Sequence, residues 1–174
     1  MAVLRIRKYG DSILRRKATP IGEITPELRA LVVDMIDTMY DEVGIGLAAP
    51  QVGISQRLMV VGHNDMRGPQ AILNPEITER GGEVTAEEGC LSIPGIFAPV
   101  TRSEWVKMQA TDLDGQPVSL SARGLFARVL QHEMDHLDGV LFIDRLDPMT
   151  RDRIKRRIKK EGLSEDATHH AFAL

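Results

Sequence analysis

Behind Thr25-Pro26, apolar residues recur at helical spacing: Leu28, Leu31, Val32, Met35, Ile36, Met39 and Val43. Such a stripe predicts an amphipathic helix. The threonine reads as its N-cap and the proline as its first residue. Gly44 is placed to end it. A second stripe, Leu125, Phe126, Val129, Leu130, Met134 and Leu137, predicts another helix over about 122–137, closed by Gly139. Between the two the period shortens. The runs RLMVV (57–61) and AIL (71–73) are bounded by Gly, Asn and Pro and read as strands. WVKMQATDLDGQPVSL (105–120) alternates about Asp114-Gly115, a hairpin signature. Residues 3–7 read as extended, and Asp11 can cap a short helical turn. A third helix follows from 151. Helices at both ends of a strand-rich middle predict an α+β fold rather than alternating βαβ units. The expected architecture is one compact domain over 1–174, with short antiparallel or mixed strands around a central helix and a C-terminal helix. Residues from about 163 to 174 read as a flexible tail.

At 174 residues, 43% of them hydrophobic, the chain can bury a substantial core. Its net charge of −3 does not suit a DNA-binding protein. The charge is uneven, however. RDRIKRRIKK (151–160) holds seven cations and one acid, which leaves −9 for the remainder. No apolar run approaches membrane-spanning length, and the scattered charges of the opening residues do not form a signal-peptide core. Cys90 is the only cysteine, so the fold needs no oxidising compartment. A soluble cytoplasmic protein is expected, with no membrane partner.

The second helix carries QHEMDH (131–136). Positions i and i+4 share a helix face, so His132 and His136 can hold one cation. Glu133 lies beside the first histidine, able to reach an attacking water without being a ligand. That is the mechanical content of H-E-x-x-H. A catalytic site of this kind needs a third protein ligand and an open position. Phe142 stands where an extended metzincin pattern has its third histidine. Asp144, Asp147 and Asp152 offer downstream carboxylates, and Cys90 offers an upstream thiolate. Cys90 sits in EEGCLSIPG (87–95), an ordered extended segment by composition. GIGLAAPQVG (44–53) directly follows the first helix; its small residues allow close backbone approach, and Gln51 carries a donor amide.

Three stretches in this order resemble the peptide deformylase family of bacteria. The family motifs stand complete as Gly44-Ile45-Gly46-Leu47-Ala48-Ala49-Pro50-Gln51, Glu88-Gly89-Cys90-Leu91-Ser92 and His132-Glu133-Met134-Asp135-His136. The resemblance runs from the opening residues to near Ile158. It implies one catalytic domain that hydrolyses the N-terminal formyl group of formylmethionyl nascent peptides and releases formate. By resemblance, Cys90, His132 and His136 ligate one ion per chain, Fe2+ with Zn2+, Ni2+ or Co2+ as substitutes. Glu133 is then the general acid and base. Gln51 and the backbone N–H of Leu91 are the oxyanion donors.

On the helix, Leu125 and Val129 precede His132 on one side and, with Ile45, are candidates to hold the methionine side chain. Backbone groups of Gly44, Ile45 and Gly46 are candidates to pair with the peptide as an added strand. Arg102 is a candidate partner for an acid near Cys90. Glu88 and Asp135 read as supporting residues. Phe97 departs from the arginine that some members carry, and Gly10 from a frequent proline. The basic helix reads as a solvated face seated through Ile154 and Ile158; the resemblance also implies the ribosome as a partner through it. His169-His170 reads as incidental. Two other functions stay open on residues alone: a zinc endopeptidase with a downstream acid ligand, and a metal-stabilised binding module without turnover.

Overall fold

The structure is a computed structural model that describes residues 2–62, 68–163 and 174. Its first long helix, α1, spans Pro26–Asp41, and the Thr25 hydroxyl accepts from the Leu28 N–H. The helix stops before Gly44. Val43 takes the left-handed conformation at φ 56°. The Val43 N–H donates to Tyr40 O and the Gly44 N–H to Met39 O, the paired bonds of a Schellman cap. A β-branched residue seldom holds that conformation, and the glycine loop follows directly. Residues 3–7 join no strand ladder; the Arg7 N–H donates to Gln51 O. Asp11 caps the short turn Ser12–Arg15.

Five antiparallel strands form the main sheet, in spatial order β1 (Gly46–Ala48), β2 (Leu58–Val61), β3 (Gln70–Gly81), β6 (Trp105–Thr111) and β7 (Pro117–Arg123). The hairpin at Asp114-Gly115 joins β6 to β7 in the register Trp105↔Arg123 through Thr111↔Pro117. Two strands the hydrophobic pattern does not delimit, β4 (Val84–Cys90) and β5 (Ile93–Arg102), form a separate ribbon. β3 is also far longer than its apolar run, because Pro75 sits at a register shift between Leu73 and Glu76 that lets the strand continue past it.

Every residue of β2 is buried because the sheet is covered on both faces. Met59 and Val61 point into a cluster with Ala127, Val129 and Leu130 of helix α2 (Gly124–Leu137). Leu58 and Val60 point the other way, into a cluster with Leu28, Val32, Met35 and Met39 of α1. This is the period-two alternation of a strand, with both faces apolar. The ribbon packs its inner residues, Cys90, Ile93, Ala98 and Val100, against Leu141, Phe142, Ile143 and Ile154. Ile154 belongs to the last helix, α3 (Pro148–Glu161), capped by Asp147. The outcome is the expected α+β domain. Of the expected flexible tail, residues 164–173 and with them His169 and His170 lie outside the described residues.

Candidate active site

From Ala127 to Leu137 helix α2 is buried on every face, with Met134 alone half-buried, and this stretch carries His132, Glu133 and His136. The two imidazoles lie one turn apart with ring centroids 5.0 Å from each other. Cys90 ends β4, just past the register shift that separates it from Gly89. That irregularity turns the thiol toward the helix. Its Sγ lies 3.4 Å from His136 Nε2, and the three potential ligand atoms of Cys90, His132 and His136 lie within 4.8 Å of one another. A cation about 2.0–2.3 Å from each nitrogen and the sulfur fits such a triangle.

Among the described residues no other group of histidine, cysteine or acidic side chains converges this way. The downstream acids are engaged elsewhere. Asp144 pairs with Arg15, and Asp147 accepts from Thr150.

The histidine tautomer is set by an acid. His132 Nδ1 lies 2.9 Å from Glu88 Oε1. As donor to that carboxylate it leaves the Nε2 lone pair for a metal. His132 Nε2 is buried with no hydrogen-bond partner, as are His136 Nδ1 and both carboxylate oxygens of Glu133. Unpartnered buried atoms are costly in a closed core, but His132 Nε2 and the Glu133 carboxylate suit a site built for an ion and a reacting water.

Three arginines hold the acids. Arg102 donates to Glu88 from Nε at 2.9 Å and Nη2 at 3.0 Å, and to Asp135 at 2.6 Å. Arg145 donates twice more to Asp135. Arg128 donates to Glu88 and also to the carbonyls of Val84 and Val100, stitching both ribbon strands to α2. Replacing Arg102 by alanine would leave two buried carboxylates with reduced compensation. We expect Arg102→Ala to lower unfolding free energy by about 3–5 kcal/mol in urea denaturation. Lys107→Ala, which removes an exposed partner of Glu79, should leave the midpoint essentially unchanged.

The electrostatics follow from burial and charge. Burial opposes ionisation of Glu88, but hydrogen bonds from His132 and Arg102 outweigh it and hold the carboxyl well below the usual range. Burial also opposes a charged His132, yet the adjacent Cys90 thiol, Glu88 and Glu133 push it up to about 10. His136 is driven well below its ordinary value, by burial first and then by His132. Burial pushes Glu133 up to about 7, with His132 pulling the other way. A proton and a metal would compete for the same His132 nitrogen.

Gln51 lies in the buried turn Ala49–Val52. Its Oε1 accepts from the Ala48 N–H, which aims Nε2 at Ser92 Oγ (3.1 Å) and Cys90 Sγ (3.7 Å). Gly46 passes so close to α2 that an added Cβ would lie 2.9 Å from Glu133 Cγ and Oε1 and from Val129 Cγ1. Gly46→Ala should therefore shift the carboxylate. We expect kcat/KM to fall about 100-fold in steady-state assays.

Ile45 is half-buried against the α2 cluster that includes Val129. Leu125 stands apart from it. It is 48% exposed and lines an open groove with Val84, Ala86, Glu87 and Arg128. Gly124 and Leu125, in the first turn of α2, are exposed, so the structure does not bring Leu125 into the buried interior. Two participants escape the sequence pattern. Arg128 has a signal in hindsight, a charge inside an apolar helical stretch. Leu174 has none: its O accepts from the Leu91 N–H at 3.2 Å.

A family model described as polypeptide deformylase matches residues 3–152. The peptide deformylase of Tolumonas auensis is 48% identical over 166 residues, covering 95% of this chain and 99% of that protein. That of Thermodesulfovibrio yellowstonii is 46% identical over 162 residues, covering 91% and 98%. The crystal structure of a peptide deformylase from Legionella pneumophila superposes with a TM-score of 0.86 at 44% identity, covering 91% of this chain and 95% of that one.

Proposed function

The chain belongs to the polypeptide deformylase family, hydrolases that remove N-terminal formyl groups, and from that premise we propose a metal-dependent formyl-peptide hydrolase in which Glu133 activates water. The observation that carries this reading is the convergence of Cys90, His132 and His136 beside a buried Glu133 carboxylate with no partner. A divalent cation held by those three residues would supply a Lewis acid that makes water acidic enough to ionise at neutral pH.

The chain's own groups account for the rest. β1 is an edge strand, and the main chain of residues 44–46 pairs with an incoming peptide. Val129 and Ile45 line the methionine side chain's position. Glu133 takes a proton from the attacking water, and the resulting hydroxide bonds to the formyl carbon. As charge builds on the formyl oxygen, Gln51 Nε2 and the Leu91 N–H donate to it. The carbon–nitrogen bond then breaks, and Glu133 returns the proton to the departing amine. Formate and a free N-terminus result.

By the family resemblance we propose ferrous iron as the resident ion. The sulfur–nitrogen–nitrogen donor set serves zinc, nickel and cobalt as well, so metal analysis of anaerobically purified protein decides among them. The reaction itself is tested by formate release from formyl-Met-Ala-Ser. Cleavage of internal peptide bonds instead would favour an endopeptidase.

The substrate's origin places the enzyme in the cytoplasm beside translating ribosomes. No helix among the described residues is long and apolar enough to cross a membrane. Helix α3 buries Ile154 and turns Arg153, Lys155, Arg156, Arg157, Lys159 and Lys160 to solvent, a surface suited to RNA phosphates. Reversing Arg153, Arg156 and Lys160 to glutamate should weaken ribosome co-sedimentation and flatten its salt dependence. Unchanged association would assign that face to solvation alone.

A further inference from the structure

The substrate position proposed above is already occupied by this chain's own Leu174. The Leu174 N–H donates to Gly89 O at 3.0 Å, and the Leu91 N–H donates to Leu174 O at 3.2 Å. The two bonds flank Cys90. The leucine side chain is 2% exposed and joins the cluster that holds Ala48, Val129 and Leu130. Leu163, the last described residue before it, packs on the buried cluster that contains Cys90.

Two of the three contacts have a counterpart in the proposed substrate complex, and the third lies beside them. The Leu91 N–H is the donor assigned to the formyl oxygen. Gly89 O is a main-chain acceptor beside it. The cluster with Val129 is where an unbranched apolar side chain such as methionine is expected, and leucine has a similar volume. A residue that satisfied only packing would not need both main-chain bonds. One that satisfied only main-chain bonds would not need a buried leucine.

We propose that Leu174 is a built-in competitor of the substrate, docking into the formylmethionyl position so that a peptide must displace it before hydrolysis. The proposal rests on the reading of the site given above. Docking and binding then draw on one set of contacts. If about nine chains in ten are docked, the apparent KM rises about tenfold while kcat is untouched, since a saturating peptide removes every docked population.

The test compares the full chain with Leu174→Asp, which cannot bury its side chain, and Leu174→Met, which can. The first readout is independent of turnover: exchange of the Leu91 backbone amide with solvent, followed by NMR. Exchange should quicken about tenfold in Leu174→Asp, as expected for a nine-tenths docked population, and stay unchanged in Leu174→Met. The second is KM for formyl-Met-Ala-Ser in the metal-loaded protein, which should fall roughly three- to tenfold in Leu174→Asp at unchanged kcat. Equal Leu91 exchange in all three proteins overturns the docking. Faster exchange with an unchanged KM overturns the competition. Faster exchange with no formate released by any of the three upholds the docking and defeats the deformylase reading instead.

Discussion

Glu133→Gln should bind metal as the parent does and release formate about 10²–10⁴-fold more slowly, the usual worth of a positioned general base. The substitution keeps the shape of the side chain and removes only its ability to take a proton. Gly46, which leaves no room for a Cβ against Glu133, is unaffected. The pH profile gives an independent check. In the proposed mechanism the carboxylate form is the base, and burial holds the carboxyl up to about 7. Raising pH through that value deprotonates it, so kcat/KM should rise with pH. A cation in the Cys90, His132 and His136 triangle favours the carboxylate and draws the midpoint to about 7 or below. A profile in which kcat/KM falls across that range would assign Glu133 to another role.

Cys90→Ala should remove the ion and the activity together. Two imidazoles remain, and the site loses its one thiolate, the ligand that favours soft and borderline metals. Loss of a supporting partner around a metal site already costs about 10–100-fold in affinity. Loss of a ligand should exceed that, leaving dialysed protein largely free of metal and as slow as the chelated parent. Inductively coupled plasma analysis and formate release on the same preparation measure both. A Cys90→Ala protein that keeps a full complement of metal would point to a different third ligand and reopen the endopeptidase reading.

The helical part of this site is legible because its geometry is local. His132 and His136 stand four positions apart, and any helix sets them on one face. Pro26 with Thr25, and Asp114 with Gly115, are equally local and give a helix start and a hairpin without tertiary information. Cys90 is different. It lies 46 positions from His136, and no periodicity links them; the complete family motifs bring it into the set. The ribbon is obscure for a physical reason. VTAEEGC alternates poorly because Glu88 is a buried acid in a strand, tolerated only because Arg102, Arg128 and His132 meet it. Those partners arrive from β5 and α2. Leu125 shows the reverse limit: helical phase places it with Val129, but only the packed structure tells that its turn is exposed while Val129 is buried.

In the proposed mechanism one thiolate and two imidazoles hold a single ion on which formate release depends. The most direct measurement is a titration of metal back into chelator-stripped protein, with bound ion and formate release from formyl-Met-Ala-Ser read at each step. Activity should rise in proportion to occupancy and stop at one ion per chain. Full activity in the stripped protein, or a metal-replete protein that releases no formate, would contradict it.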